Sequence, residues 1–117
     1  MYNQMVARDS LTELTDAEVD RLFGALADAT RRDIVRRALA GEATVSELAA
    51  HYDMSFAAVQ KHISVLEGAG LVTKTPRGRH RLVRGNPEGI QRAQRLLDDY
   101  EALWRARIAR LDRLLGE

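Results

Sequence analysis

The feature that most constrains the fold of this chain lies between residues 53 and 72, where helix-like sequence runs directly into β-prone sequence. Ser55 is placed to cap the helix, because its hydroxyl can accept a hydrogen bond from an unpaired backbone N–H in the first turn. Gly70 is placed to end it. The apolar residues between them form a stripe and its two flanks at helical spacing: Val59, Ile63, Leu66, Ala58 and Val65. The segment therefore predicts an amphipathic helix with one buried face.

The opposite face of this helix carries side chains that suit contact with DNA. They are small or hydrogen-bonding residues: Ala57, Gln60, Lys61 and Ser64. Small residues let a helix approach a surface closely, while an amide and an ammonium can bond to base edges or phosphates. We therefore predict a DNA-binding helix that begins at Ser55.

A second short helix is predicted just before it. Thr44 and Glu47 match the capping-box pattern, and the apolar residues that follow can pack on the next helix: Val45, Leu48 and Ala49. Residues 51–54 then form the turn. Two short helices separated by such a turn make a helix-turn-helix, whose second helix enters the major groove of DNA.

The sequence after the DNA-binding helix predicts a β-hairpin. Two β-prone runs flank Pro76, Arg77 and Gly78, and a glycine can take the positive φ that a tight turn needs. Arg79 and Arg81 follow at once. Three arginines at a hairpin tip repel one another, so we predict that Arg77, Arg79 and Arg81 contact DNA phosphates.

These segments together resemble the winged-helix repressors of the ArsR/SmtB family. The resemblance is carried by residues 26–35, 45–49 and 54–72, and it covers roughly residues 18–85. It implies a homodimer, operator DNA as the partner, and repression that an effector usually relieves. It also implies that the terminal helix joins the first helix in the dimer interface.

Two positions depart from the family's usual pattern. Ala29 stands where the family commonly has proline, and Gln60 stands where it commonly has a small hydroxyl residue. The base preference of relatives therefore cannot be transferred to this chain.

The remaining sequence predicts helices around this unit, and hence a mainly α fold with a small β-hairpin wing. We expect residues 1–14 to form a flexible arm and residues 15–117 to form a single winged helix-turn-helix domain. Its last helix, at about 87–115, begins with Asn86 as cap and a proline in the first turn.

The last helix carries a heptad seam in which seven of eight residues are apolar: Ile90, Ala93, Leu97, Tyr100, Trp104, Arg107, Leu111 and Leu114. Such a seam needs a partner. We favour a second subunit over an intramolecular core helix alone, because so small a domain has little else to cover this surface. The predicted dimer interface is drawn from the first and last helices: Val19, Leu22, Leu97, Tyr100, Trp104, Ile108 and Leu111.

Charge is polarised along the chain. The net charge is only +1, but residues 54–95 hold eight Lys or Arg and only two Asp or Glu. A basic region beside an acidic remainder suits one DNA-binding face and one solvated face.

Several other classes are disfavoured. The chain has no cysteine, and its three histidines (His51, His62 and His80) are scattered outside the last helix, so we predict no metal and no cofactor. No catalytic constellation is visible. Without a signal peptide or an apolar span, we expect a cytoplasmic protein that does not bind membranes. A His/carboxylate metal sensor and a helical protein-interaction module are the rival functions, although the latter would not need arginines on its wing.

Three assignments stay open at this level. His62 lies at the edge of the apolar stripe, so it either packs and donates to a backbone carbonyl or contacts a phosphate. Phe56 either covers the helix-turn-helix core, which we favour, or touches a thymine methyl group. Four arginines either form a solvated helix face, which we favour, or contact the DNA backbone: Arg31, Arg32, Arg36 and Arg37.

Overall fold

The computed structural model describes residues 14–116. In chain order its elements are α1 (Asp16–Leu26), α2 (Ala29–Ala40), β1 (Ala43–Thr44), α3 (Val45–Ala49), α4 (Phe56–Gly68), β2 (Val72–Arg77), β3 (His80–Gly85) and α5 (Pro87–Leu115). Most of the predicted flexible arm lies outside the described residues. Leu14, its last residue, packs against the core.

The helix starts at Thr44 and Ser55 follow the predicted capping chemistry, and Thr15 caps α1 in the same way. Thr15 and Thr44 each form a complete capping box, with Glu18 and Glu47. The Ser55 hydroxyl accepts a hydrogen bond from the backbone N–H of Ala58 at 3.1 Å. Each cap satisfies donors that have no partner within the helix, which explains why these boundaries are legible in the sequence.

The core lies where α1, α2, α3 and α4 meet the small sheet. Its largest fully buried side chains are Leu22, Ile34, Leu48, Val59, Ile63, Leu66, Leu71, Val72 and Val83. Leu22 was expected in the dimer interface. It is instead buried in the chain's own core, with only 1% of its surface exposed, so it does not belong to that interface. Val65, which was expected to flank the buried stripe, is 39% exposed.

The wing belongs to a three-stranded antiparallel sheet in the order β1-β3-β2. The hairpin was predicted, whereas β1 was not, because two residues give no readable strand pattern. Ala43 pairs with Val83, which attaches the start of α3 to the wing. Pro76 lies on the edge strand β2, where its missing N–H breaks no interior ladder.

Helix α5 has 29 residues, and only its first part packs on the domain. Gly89 is buried against the backbone of Gly70 and Leu71, and an added Cβ would lie 3.3 Å from the Leu71 Cα and closer still to the Gly70 carbonyl. Ala93 is buried, whereas every residue from Leu97 to Gly116 is exposed. In residues 14–116, no helix is both long and apolar enough to cross a bilayer.

Candidate nucleic-acid interface

The free face of α4 presents the side chains that the sequence singled out. Ala57, Gln60, Lys61 and Ser64 are all exposed, while the stripe on the other side of the helix is fully buried. The buried stripe fixes the rotation of α4 in the domain. The packing of the stripe therefore keeps the polar face of α4 turned away from the core.

The wing holds its arginines beside α4. Arg77 pairs with His80 across a two-residue turn, in which Gly78 has φ +61°, as predicted. Arg77, Arg79 and Arg81 are exposed and make no salt bridge with any residue between 14 and 116.

Other cations of the hairpin have acidic partners. The Arg84 Nε lies 2.6 Å from a Glu42 carboxylate oxygen, and the Lys74 Nζ lies 3.9 Å from one of Glu67. The positive charge of the hairpin that has no acidic partner in residues 14–116 is therefore concentrated at the wing tip.

A cleft of about 170 Å³ separates the start of α4 from the wing. It is lined by Thr44, Val45, Ser46, Phe56, Gln60, Arg79, His80 and Arg81. Among residues 14–116, no acidic side chain contributes to this lining. Hydrogen-bonding and cationic groups thus converge from three elements onto one concave surface, which suits an anionic polymer.

Phe56 stands in this cleft, and the favoured expectation for it was wrong. It is 47% exposed and does not cover the helix-turn-helix core. The first position of α4 places the ring beyond the buried stripe, toward the wing. Periodicity alone could not decide this, because Phe56 lies at the stripe's edge.

The comparisons with known proteins agree with this geometry. Residues 26–75 match the family model described as a helix-turn-helix domain. The chain is 41% identical over 81 residues to the HTH-type transcriptional regulator Rv2034 of Mycobacterium tuberculosis, covering 69% of this chain and 76% of that protein. A crystal structure of the ArsR family transcriptional regulator RHA00566 superposes with a TM-score of 0.75 at 34% identity, covering 80% of this chain and 96% of that one. The chain belongs to the ArsR family of winged helix-turn-helix transcriptional regulators. An ArsR-like regulator from Rhodococcus sp. RHA1 is also similar, with a TM-score of 0.75 at 29% identity over 85% of this chain and 93% of that one.

The arginines of α2 in this ArsR-family regulator serve the fold. Helix α1 has no basic residue in its last turn. Arg31 donates to the carbonyl oxygens of Ala25 at 2.8 Å and Gly24 at 3.2 Å, and Arg32 donates to that of Leu26 at 2.8 Å. Both therefore supply the hydrogen bonds and positive charge that a helix C-terminus favours. Both residues thus do more than form a solvated face.

Arg31 also reaches α4. Its guanidinium lies 3.2 Å from the Nδ1 of His62, which is half-buried. A guanidinium only donates, so this nitrogen accepts and any ring proton is on Nε2. Of the two alternatives left open for His62, donation by Nδ1 to a backbone carbonyl does not occur, because Nδ1 contacts Arg31 instead. Nε2 remains the atom of His62 that can approach a phosphate.

A second network fixes the turn of the helix-turn-helix, and sequence reasoning missed it. The Tyr52 hydroxyl donates to Asp33 at 2.6 Å, and Arg37 Nε donates to the same carboxylate oxygen at 2.8 Å. Arg36 also pairs with Asp33, and an Arg37 nitrogen lies 3.3 Å from the His51 Nε2. The Arg37–Asp33 pair is readable from its i,i+4 spacing, but the tyrosine, 19 residues away, is not.

The pKa values of this network follow from its bonds. Hydrogen bonds from Tyr52, Arg37 and Arg36 hold the pKa of Asp33 well below its ordinary value. Burial and the bond to Asp33 raise the pKa of Tyr52 to about 12. The carboxylate is therefore charged and the phenol neutral across the neutral pH range.

Apart from Leu22, the residues expected at a dimer interface fall into two groups. Val19, Leu97 and Tyr100 line an apolar groove of about 600 Å³ between α1 and α5, together with Phe23 and Leu96, which had not been assigned to the interface. Trp104, Ile108 and Leu111 lie further along α5 and are exposed, with the Arg107 guanidinium carbon 5.8 Å from the centre of the Trp104 ring. In residues 14–116, no three His, Cys, Asp or Glu side chains group as metal ligands would.

Proposed function

We propose that this regulator is a homodimeric repressor that binds an inverted-repeat operator. DNA-contacting side chains come from α4 and the wing: Ser55, Phe56, Ala57, Gln60, Lys61, His62, Ser64, Arg77, Arg79 and Arg81. The single observation that supports this most is the set of exposed arginines at the wing tip beside the polar face of α4. Such an arrangement combines phosphate contact with access to base edges.

Dimerisation is supported by the surface of α5. Large apolar side chains continue along the helix after it leaves the domain, with Tyr100 59% exposed and Trp104 56% exposed. A contiguous apolar surface of this kind marks a protein contact. Twofold symmetry would then set the two α4 helices about 34 Å apart, one turn of DNA.

Repression by promoter occlusion is the regulatory outcome we propose, because it requires only that the bound dimer exclude polymerase. The proposed site of action is the cytoplasm, where an operator is accessible. No effector is assigned.

The test begins with selection of a preferred site from a random duplex pool. Affinity for that site and for a random duplex is then measured over a range of salt concentrations. Changing Arg77→Ala together with Arg79→Ala should weaken binding to both duplexes. It should also reduce the slope of log affinity against log salt by about two per protomer, because each lost phosphate contact removes about one released counterion.

A matched control removes the same charge elsewhere. Arg105→Ala with Arg113→Ala changes two exposed arginines of α5 that lie off the heptad seam, and the salt slope should stay as in the wild type. Equal slopes for the wing variant and the wild type would refute the wing's role. Failure of the selection to enrich any site would refute operator binding itself.

A further inference from the structure

Phe56 is left without a role by the contacts that hold the domain together. Its ring is 47% exposed, although a phenylalanine usually gains stability by burial. It lines the cleft between α4 and the wing, where Arg79 and Arg81 form the opposite wall. A cationic cleft that holds an apolar ring indicates an anionic partner. That partner should also present an apolar group where it meets the ring.

The position of Phe56 narrows that partner to DNA. It is the first residue of α4, directly after the Ser55 cap, and residues at the start of such a helix contact base edges in the major groove. A second copy of this chain would bring the same arginines to the cleft, so like charges would oppose that contact.

In the major groove, thymine offers its 5-methyl group as the apolar feature that distinguishes base pairs. We propose that Phe56 is a specificity-determining residue that packs against the 5-methyl group of a thymine in each operator half-site. This inference rests on the proposed operator binding.

The experiment removes single methyl groups from the DNA. In the selected operator each thymine is replaced in turn by uracil, which keeps base pairing and hydrogen bonds. Wild-type protein should lose about fourfold in affinity at one thymine per half-site, the effect of one buried methyl-sized group. Replacement there by 5-bromouracil, whose bromine is close to a methyl group in size, should restore binding.

Phe56→Ala should abolish this methyl dependence, so that the thymine and uracil operators bind within about 1.5-fold of each other, well below the fourfold effect of one methyl group. Val65→Ala is the matched control, because it removes an exposed apolar side chain from the other end of α4 and should keep the wild-type pattern. Circular dichroism should show both variants folded, since neither side chain is buried.

Three results would overturn the inference. They are the absence of any uracil-sensitive position with wild-type protein, a methyl dependence that persists in Phe56→Ala, and an equal loss of affinity by that variant on operator and random DNA. In each case a selected operator would still stand, so the failure would be distinguishable from failure of the proposed function.

Discussion

Arg31 is expected to contribute more to folding than its neighbour Arg32, although both are arginines at the start of the same helix. Arg31 bonds to two carbonyl oxygens at the end of α1 and to His62 in α4, whereas Arg32 bonds to one carbonyl oxygen at an exposed site. Arg31→Gln therefore removes hydrogen bonds that connect α2 to both α1 and α4. Arg32→Gln removes one hydrogen bond at the end of α1.

The magnitude follows from these bonds. A net hydrogen bond contributes about 0.5 to 1.5 kcal/mol, and bonds from a charged donor lie at or above the upper end. Because the Arg31 site is only partly buried, we expect Arg31→Gln to lower the free energy of unfolding by about 2 kcal/mol. Arg32→Gln should lower it by about 0.5 kcal/mol.

The assay is urea unfolding followed by circular dichroism at one fixed protomer concentration, because the stability of a dimer depends on that concentration. Both variants lose one positive charge, so electrostatic effects on random DNA are matched. Arg31→Gln should in addition lose discrimination between operator and random duplex, since α4 loses a support at His62. Unfolding free energies within about 0.5 kcal/mol of each other, the scale of one weak bond, would refute this reasoning.

The other predictions concern the Tyr52 network, the start of α5 and the dimer seam. Tyr52→Phe should lower the unfolding free energy by about 1 kcal/mol at pH 7, and the difference should shrink below about pH 4. The reason is that Asp33, with its lowered pKa, stabilises the fold above its ordinary pKa and loses that contribution as pH falls. Gly89→Ala should destabilise by more than about 2 kcal/mol, since its Cβ would meet the Gly70 backbone. Leu97→Glu with Trp104→Glu should give a monomer by light scattering that no longer holds the operator.

Each of these predictions has a defined contrary outcome. A Tyr52→Phe difference that stays constant down to pH 2 would exclude the link to Asp33. Gly68→Ala, where the added Cβ meets nothing within 4 Å, should be neutral or stabilising, and equal destabilisation at both glycines would exclude the steric argument. Ala102→Glu with Ala106→Glu adds the same charge away from the seam, and this variant should remain a dimer. Dissociation of both double variants would refute the assignment of the dimer interface to the seam.

The sequence by itself was enough to predict the helix starts, the tight turn and the family. Capping boxes and a glycine with positive φ are local: the groups that Thr44 satisfies lie within three residues, and Gly78 needs only its own backbone to turn. The polar face of α4 was also legible, because helical periodicity separates a covered side from an open one.

Tertiary structure decided which residues at the edges of those patterns are covered. The sequence favoured core cover for Phe56 and a dimer interface for Leu22, yet Phe56 stands half exposed in the cleft and Leu22 is buried in the chain's own core. Arg31 reaches His62 and Tyr52 reaches Asp33 across 31 and 19 residues. Periodicity predicts the direction in which a side chain points from its own helix axis. The residue that it contacts depends on how separate helices pack, and no local sequence pattern contains that packing.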